Sequence, residues 1–315
     1  MITTQNINNI NNINNGKTIN TNKIHVLSET SKKEYTRFLS YLQNNNIDYK
    51  NIDDPQKFIN SIKSLKKADG VLISRSTVKL YLVSTIWYLK NNKTIDTTDK
   101  INEIMTQLKQ EIESISKAID NDVQTHKLLG TQSTNFLDWT EILKVYNILK
   151  TKYTKSKTSH TTFVMLSCYI LICPRRLGDY AKMHVVSSEI NLSDNLNYYV
   201  ITSNKFIFNS YKTASHYKTQ TIEINDELKN LLNEYIAKYN ITSGSLFNLT
   251  EKAIQNRLVR IFKKYTNKSV SVDILRHSYI TWAKNNKEIL GKENNVAMQM
   301  GHSVSMQNDY YKTMN

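Results

Sequence analysis

The chain has 315 residues, a length that is enough for two domains of ordinary size with separate cores. Hydrophobic residues make up 39% of it, as is usual for a globular protein. It contains no apolar run long enough to cross a bilayer and no basic segment followed by an apolar one at its N-terminus. The sequence therefore predicts an intracellular protein that is neither secreted nor membrane-bound. Lysine and arginine number 42 against 27 acidic residues, a net charge of +15. This surplus favours a nucleic-acid partner, although biased codon use in an AT-rich genome would also raise the lysine count.

The two cysteines, Cys168 and Cys173, lie five positions apart in one predicted buried helix. At that spacing their side chains point in different directions, so they are not expected to form a disulfide. They also lack the neighbouring cysteines or histidines of a metal site. We predict that both are core residues of a protein in a reducing compartment.

The first part of the chain divides into a tail and a helical domain. Residues 1–24 are dominated by Asn, Ile and Thr without a helical period, and we predict a disordered tail there. Residues 25–120 show the apolar periodicity of four amphipathic helices in a compact bundle. The residues predicted to face its core are Tyr35, Phe38, Leu39, Leu42, Phe58, Ile59, Ile62, Leu65, Val78, Leu82, Ile86 and Leu89.

A second domain is predicted for residues 134–315. The preceding residues, 121–133, lack a strong apolar period and include Gly130, so we interpret them as a linker. Within the second domain, residues 197–224 are rich in Tyr, Val, Ile, Phe and Thr, which indicates two or three antiparallel strands. The remainder is predicted to be helical. The predicted fold class is therefore mainly α with a small antiparallel β-sheet or hairpin.

Five short motifs follow one another in this second domain. An arginine at a helix start, or a tyrosine pair near a chain end, is uninformative alone. Arg276 is more informative, because an arginine among apolar neighbours is partly buried and requires an anionic partner. The motifs are Arg176-Leu177-Gly178-Asp179, Tyr211-Lys212-Thr213, Leu275-Arg276-His277-Ser278, Gly301-His302-Ser303 and Asp309-Tyr310-Tyr311-Lys312.

In this order and spacing the motifs resemble the tyrosine recombinase or phage integrase family. That family has an arginine in an R-x-x-E/D turn, a lysine on a β-hairpin, an H-x-x-R-H helix start, a G-H-S motif and a tyrosine about nine residues after its histidine. The matching residues are Arg176, Lys212, Arg276, His302 and Tyr311. The resemblance covers residues 134–315 by motif, and residues 25–120 only in general character, as a helical core-binding domain. Cys173-Pro174-Arg175-Arg176 and Tyr211-Lys212-Thr213 look closer to integrases of eukaryotic mobile elements and large DNA viruses.

The resemblance implies a site-specific recombinase or integrase that cleaves and rejoins DNA through a covalent 3′-phosphotyrosine. Arg176 and Arg276 would clamp the non-bridging oxygens of the transition state, and His302 would donate a further hydrogen bond. Lys212 would protonate the departing 5′ oxygen, and Tyr311 would be the nucleophile. The implied partners are double-stranded DNA and further copies of the chain, as a tetramer on DNA. No metal, ATP or small-molecule cofactor is implied.

The sequence departs from the family pattern in three places. Asp273 stands where the first histidine of H-x-x-R-H belongs, and it could accept the tyrosine's proton or cap the helix. Aligning Ser305-Met306 with the Ser/Thr-Met that commonly precedes the nucleophile would select Tyr310 instead of Tyr311. Because four residues follow Tyr311, we expect subunits to be coupled by something other than a C-terminal exchange helix.

Two other functions are compatible with the same residues. A type IB DNA topoisomerase uses the same chemical groups as a monomer, although the two-domain layout and the Gly-His-Ser motif favour a recombinase. A catalytically inactive DNA-binding relative is the second alternative, and Asp273 is the residue that supports it.

Overall fold

The computed structural model of the chain describes residues 28–92, 98–128, 130–288 and 290–312. The tail predicted for residues 1–24 lies outside the described residues. The chain divides into two compact units between Ile119 and Asp120. Among the described helices, none combines the length and the apolar composition that crossing a membrane requires.

The first unit is a small helical bundle. Its helices are α1 (Glu29–Asn44), α2 (Pro55–Lys63), α3 (Arg75–Asn91) and α4, which begins here and spans Thr98–Gln124. The amphipathic period of the sequence produces these helices, and α3 packs against both α1 and α2. Eight of the residues predicted to face the core are confirmed as buried: Leu39, Leu42, Phe58, Ile59, Ile62, Val78, Leu82 and Leu89.

The second unit is mainly helical around one small sheet, so the predicted fold class is confirmed. Its longer helices are α6 (Trp139–Lys150), α7 (Lys157–Ile170), α10 (Asp226–Lys238), α11 (Glu251–Thr266) and α12 (Val272–Asn285). The shorter helices are α5 (Thr131–Asn135), α8 (Leu177–Ala181), α9 (Ala214–Tyr217), α13 (Glu293–Gln299) and α14 (Val304–Tyr310). The strands are β1 (Met183–Val186), β2 (Asn197–Val200), β3 (Lys205–Phe208), β4 (Gln220–Glu223) and β5 (Gly244–Ser245).

The sheet is mixed, whereas the sequence predicts an antiparallel one. Its strand order is β4-β3-β2-β1-β5. The predicted segment, residues 197–224, does form the antiparallel strands β2, β3 and β4. Strand β1 pairs with β2 in parallel, with Met183 opposite Asn197 and Val186 opposite Val200. Strand β5, of two residues, is too short to show an alternating pattern, and β1 lies outside the segment predicted to form strands.

Helix α7 forms the centre of this unit. Phe163, Val164, Met165 and Leu166 are consecutive and all buried, so the helix is enclosed on every side. Cys168 in α7 and Cys173 beyond it are buried free thiols, which confirms the interpretation of both as core residues. The chain then turns at Pro174 into α8, and this turn delivers two arginines to the region described next.

Candidate active site

The Gly301-His302-Ser303 motif forms a tight connection between α13 and α14. Gly301 has a φ of +66°, and its N–H donates to the carbonyl of Met298 while the N–H of His302 donates to that of Ala297. This paired arrangement ends α13, and it requires a left-handed residue that glycine supplies without strain. Ser303 then caps α14 by accepting a hydrogen bond from the N–H of Met306 at 3.2 Å. The motif therefore fixes the position of His302 and the start of the helix that carries Tyr310.

Three arginines donate to three consecutive carbonyls at this connection. Arg175 donates to Gln299 O at 2.6 Å, Arg276 to Met300 O at 3.1 Å and Arg176 to Gly301 O at 2.7 Å. The carbonyl end of a helix carries partial negative charge, which favours this concentration of cations. Two of the three, Arg175 and Arg276, are completely buried. The arginines thus converge on one turn of backbone although they lie far apart in the sequence.

Adjacent Arg175 and Arg176 have different environments. Arg175 donates from Nε to Asp179 at 2.8 Å and lies over the Phe208 ring at 3.8 Å, inside the core. Arg176 is the N-cap residue of α8 and remains half-buried, and burial together with nearby Arg276 lowers the pKa of its guanidinium. Asp179 is therefore the partner of Arg175, and Arg176 is the arginine of this pair that reaches the Gly301 region with some access to solvent.

His302 is held in one neutral form. Arg276 donates from Nη2 to Nδ1 of His302 at 3.0 Å. Arginine has no acceptor, so Nδ1 must be the unprotonated nitrogen and Nε2 must carry the hydrogen. Burial, followed by the charge of Arg276, lowers the pKa of His302 to about 3. Above that pH His302 is an uncharged hydrogen-bond donor through Nε2.

Three buried donors in this cluster of Arg175, Arg176, Arg276 and His302 lack a hydrogen-bond partner in the described part of the chain: Nη2 of Arg175, Nε of Arg276 and Nε2 of His302. Buried polar atoms are normally paired, so unpaired donors at a cationic cluster indicate a place where an anion binds. An oxyanion such as phosphate supplies acceptors of the required kind.

Tyr310, the last residue of α14, lies beside this cluster. Its ring lies 4.7 Å from the guanidinium carbon of Arg276 and 5.3 Å from the ring of His302. The ring of His277 packs on it at 4.7 Å, and Nδ1 of His277 donates to the Tyr310 carbonyl at 2.9 Å. In the described part of the chain the Tyr310 hydroxyl has no hydrogen-bond partner. Tyr310 is thus the tyrosine that accompanies Arg176, Arg276 and His302.

Tyr311 points elsewhere. Helix α14 ends before it, and its backbone is extended with φ −63° and ψ 135°. Its hydroxyl donates to Asn285 at 3.2 Å, and its ring contacts Lys284 and His126. The nine-residue spacing from His302 predicts Tyr311 as the residue nearest the arginines, whereas the structure brings Tyr310 there. The spacing does not reveal this, because it depends on where α14 ends.

Lys212 lies in the connection between β3 and β4, and its side chain is exposed. Its two neighbours are anchored. The hydroxyl of Thr213 donates to Gly301 O at 2.9 Å, and the ring of Tyr211 lies 5.0 Å from the guanidinium of Arg175. No described residue forms a hydrogen bond or ion pair with the Lys212 amine. Lys212 is therefore placed near the cluster by its two neighbours, and its own side chain is exposed.

Asp273 does not cap its helix. Ser271 is the N-cap of α12, where its hydroxyl accepts from the N–H of Ile274 at 3.2 Å. Asp273 lies in the first turn of α12 with an exposed side chain, and an acidic residue there stabilises the helix through its dipole. The cap interpretation of Asp273 is thus wrong.

Comparisons with known proteins add a structural similarity. No family model and no curated protein matches the sequence. Among solved structures, the chain is similar to the Tn1549 transposon integrase in complex with transposon right-end DNA, with 11% identity and a TM-score of 0.42. The match covers 90% of this chain and 95% of the integrase chain.

Proposed function

We propose that this protein is a DNA strand-transfer enzyme of the tyrosine recombinase type, with Tyr310 as its nucleophile. The observation that carries the proposal is that Arg276 and His302 both contact the ring of Tyr310, with Nε of Arg276 and Nε2 of His302 buried and unpartnered within the described residues. Arg176 joins them through its hydrogen bond to the carbonyl of adjacent Gly301. Donors that are fixed before substrate binds stabilise developing negative charge without the cost of reorganisation. Negative charge of this kind develops on the phosphate oxygens when a phosphodiester is transferred. The net charge of +15 suits a DNA partner.

The proposed cleavage step keeps the number of phosphodiester bonds constant. The Tyr310 hydroxyl gives its proton to solvent, its oxygen attacks the scissile phosphorus, and the bond from phosphorus to the 5′ oxygen breaks. Arg176 and Arg276 hold the non-bridging oxygens, and the Nε2–H of His302 donates one further hydrogen bond. The departing 5′ oxygen receives a proton, for which Lys212 is the candidate donor. The reverse attack by a 5′ hydroxyl releases Tyr310 and rejoins the strand.

Tyr310 is proposed over Tyr311 because of what surrounds each hydroxyl. The Tyr310 ring contacts both Arg276 and His302, which would bind the phosphate. The Tyr311 hydroxyl is committed to Asn285, and the Tyr311 ring packs against Lys284. For Tyr311 to attack, α14 would have to be extended or unwound at its end.

The test is capture of a covalent protein–DNA adduct. A library of nicked duplexes with randomised sequence is incubated with the full chain in EDTA, and DNA that stays bound in SDS is recovered and sequenced. The selected duplex is then used with Tyr310→Phe and Tyr311→Phe as matched variants. We expect the adduct with the wild type and with Tyr311→Phe, and none with Tyr310→Phe.

Other outcomes would change the proposal in defined ways. Adduct kept in Tyr310→Phe and lost in Tyr311→Phe would make Tyr311 the nucleophile. An adduct accompanied by relaxation of a supercoiled plasmid, without recombinants or multimers, would favour topoisomerase activity. If no adduct forms across the library while the duplexes still bind, the protein is a DNA-binding relative without strand-transfer activity.

A further inference from the structure

His277 makes the one backbone contact that joins α12 directly to the Tyr310 carbonyl among the described residues. It follows Arg276 in the chain, so α12 supplies both the arginine beside the Tyr310 ring and the histidine bound to the Tyr310 backbone. The ring of His277 also packs on the ring of Tyr310 at 4.7 Å. The two contacts restrain both the main chain and the side chain of Tyr310.

The tautomer of His277 is set by its two partners. A carbonyl only accepts, so Nδ1 must carry the hydrogen that it donates to Tyr310 O. The opposite nitrogen, Nε2, lies 3.3 Å from the amide nitrogen of Gln132 on α5, which donates to it. A neutral His277 satisfies both contacts at once. Burial lowers its pKa to about 4, which is consistent with that neutral form.

His277 and His302 therefore have opposite tautomers, and the rings of both lie next to the ring of Tyr310. His302 carries its hydrogen on Nε2 because Arg276 donates to its Nδ1. His277 carries its hydrogen on Nδ1 because the Tyr310 carbonyl accepts there. One histidine has a free buried donor, while both nitrogens of the other are occupied within the protein. His302 is therefore available to bind substrate, whereas His277 is available only to hold Tyr310.

We infer that His277 is a positioning residue for Tyr310 and that Gln132 selects the tautomer that allows it. This inference rests on the proposed function, because it assigns His277 a role in the step in which Tyr310 attacks DNA. The physical need follows from the place of Tyr310 in α14. Tyr310 is the last residue of α14, where the chain leaves helical geometry and the terminal carbonyls have no partner within the helix. The His277 bond supplies a partner at that point and stops the helix end from fraying.

The expected consequence is a loss of rate without a loss of binding. Misplacement of a nucleophile by about 1 Å can reduce a rate by roughly 100-fold. His277→Phe keeps an aromatic ring against Tyr310 but removes the donor. His277→Asn restores a donor at about the position of Nδ1. Gln132→Met keeps the length of the side chain and removes the amide that selects the tautomer.

The experiment measures the first-order rate of adduct formation at saturating selected duplex, together with the DNA concentration that half-saturates it. We expect His277→Phe to slow adduct formation at least about 10-fold with an unchanged half-saturating concentration, His277→Asn to recover most of the rate, and Gln132→Met to fall between. His184→Phe on β1 is the control for replacing a histidine by phenylalanine. Equal rates in His277→Phe and wild type would overturn the inference and leave the proposed function intact.

Two further measurements do not depend on cleavage. Nitrogen-15 NMR of the imidazole rings at neutral pH should show His277 protonated on Nδ1 and His302 on Nε2. Hydrogen exchange of the peptide covering residues 304–312 should accelerate in His277→Phe and not in His184→Phe. An Nε2-protonated His277, or unchanged exchange in His277→Phe, would overturn the positioning role even if the wild type formed no adduct. Absence of an adduct with any duplex would instead remove the proposed function.

Discussion

Arg276 donates from Nη2 to Nδ1 of His302 across 3.0 Å, and both side chains are almost wholly buried. The contact makes His302 a neutral donor through Nε2, because arginine cannot accept a hydrogen bond. Burial and the neighbouring arginines lower the pKa of His302 to about 3. His302 can therefore donate a hydrogen bond to a bound group but adds no positive charge to the site.

A first prediction concerns His302 and cleavage. His302→Phe removes one fixed donor to the transition state, so we expect a loss of about 100-fold in the rate of adduct formation at saturating DNA. The ratio of the wild-type and variant rates should stay constant from pH 6 to pH 9, because His302 does not titrate in that range. Single-turnover rates across this range are the measurement. A ratio that falls as pH rises through 6.5 would show that the charged imidazolium is the active form.

A second prediction concerns acid stability. Burial lowers the pKa of His277 to about 4, against an unfolded value near 6.5. Between these values the unfolded chain binds a proton that the folded chain does not, so the free energy of unfolding falls as pH falls. The slope from one such histidine is about 1.4 kcal/mol per pH unit. As the pH is lowered from 6 to 4.5, the free energy of unfolding of His277→Phe should therefore rise relative to that of the wild type by about 1.4 kcal/mol per pH unit.

Urea denaturation followed by tryptophan fluorescence would measure this difference. Trp87→Phe is a suitable background, because the remaining tryptophans, Trp139 and Trp282, both lie in the second unit. His216→Phe, which replaces an exposed histidine of α9, is the matched control. Parallel pH profiles for His277→Phe and the wild type would show that His277 is accessible to protons in the folded protein.

A third prediction concerns the turn at Gly301. A Cβ added at Gly301 would lie 2.9 Å from Nη2 of the buried Arg175, and φ is +66°. Gly291→Ala is the matched control, because φ is +74° there but no atom lies within 4 Å of the added Cβ. We expect Gly291→Ala to cost about 1 kcal/mol from backbone strain, and Gly301→Ala about 3 kcal/mol or more from strain and overpacking. Thermal unfolding measures both, and equal losses would contradict the contact with Arg175.

From the sequence, the residues that belong to the candidate site are easier to predict than the role of each one. The sequence predicts that Arg176, Arg276 and His302 belong to one site because each stands in a short motif and the motifs follow one another in order. It does not decide between Tyr310 and Tyr311, because that choice depends on whether α14 ends one residue earlier or later, and helix ends are weakly encoded. The role of Lys212 stays a prediction, because its side chain is exposed on the connection between β3 and β4.

Arg175 shows a second limit of sequence reasoning. Two adjacent arginines look equivalent in a motif, and the R-x-x-D spacing assigns Asp179 to Arg176. In the fold, Asp179 pairs with Arg175, which lies just before the N-cap of α8. Only the packing of Arg175 on Phe208 and Tyr211 distinguishes the two.

A fourth prediction tests the buried pair of Arg175 and Asp179. Both side chains are at most 2% exposed, so removing one charge leaves the other uncompensated in the core. We expect Asp179→Asn to lower the free energy of unfolding by about 3 kcal/mol. The control is Glu223→Gln, which breaks a 3.4 Å pair with Lys205 in which the glutamate is 82% exposed. That change should cost less than about 1 kcal/mol.

A double-mutant cycle separates the ion pair from the other contacts of Arg175. Arg175→Met also removes the hydrogen bond to Gln220 on β4 and the hydrogen bond to Gln299 O at the end of α13. We expect Arg175→Met to lower the free energy of unfolding more in the wild type than in the Asp179→Asn background. In that background the substitution removes the uncompensated buried charge of Arg175. Additive losses would show that the two charges do not interact. Since α13 leads into Gly301 and His302, the double variant should remain slow in adduct formation even where stability is partly recovered.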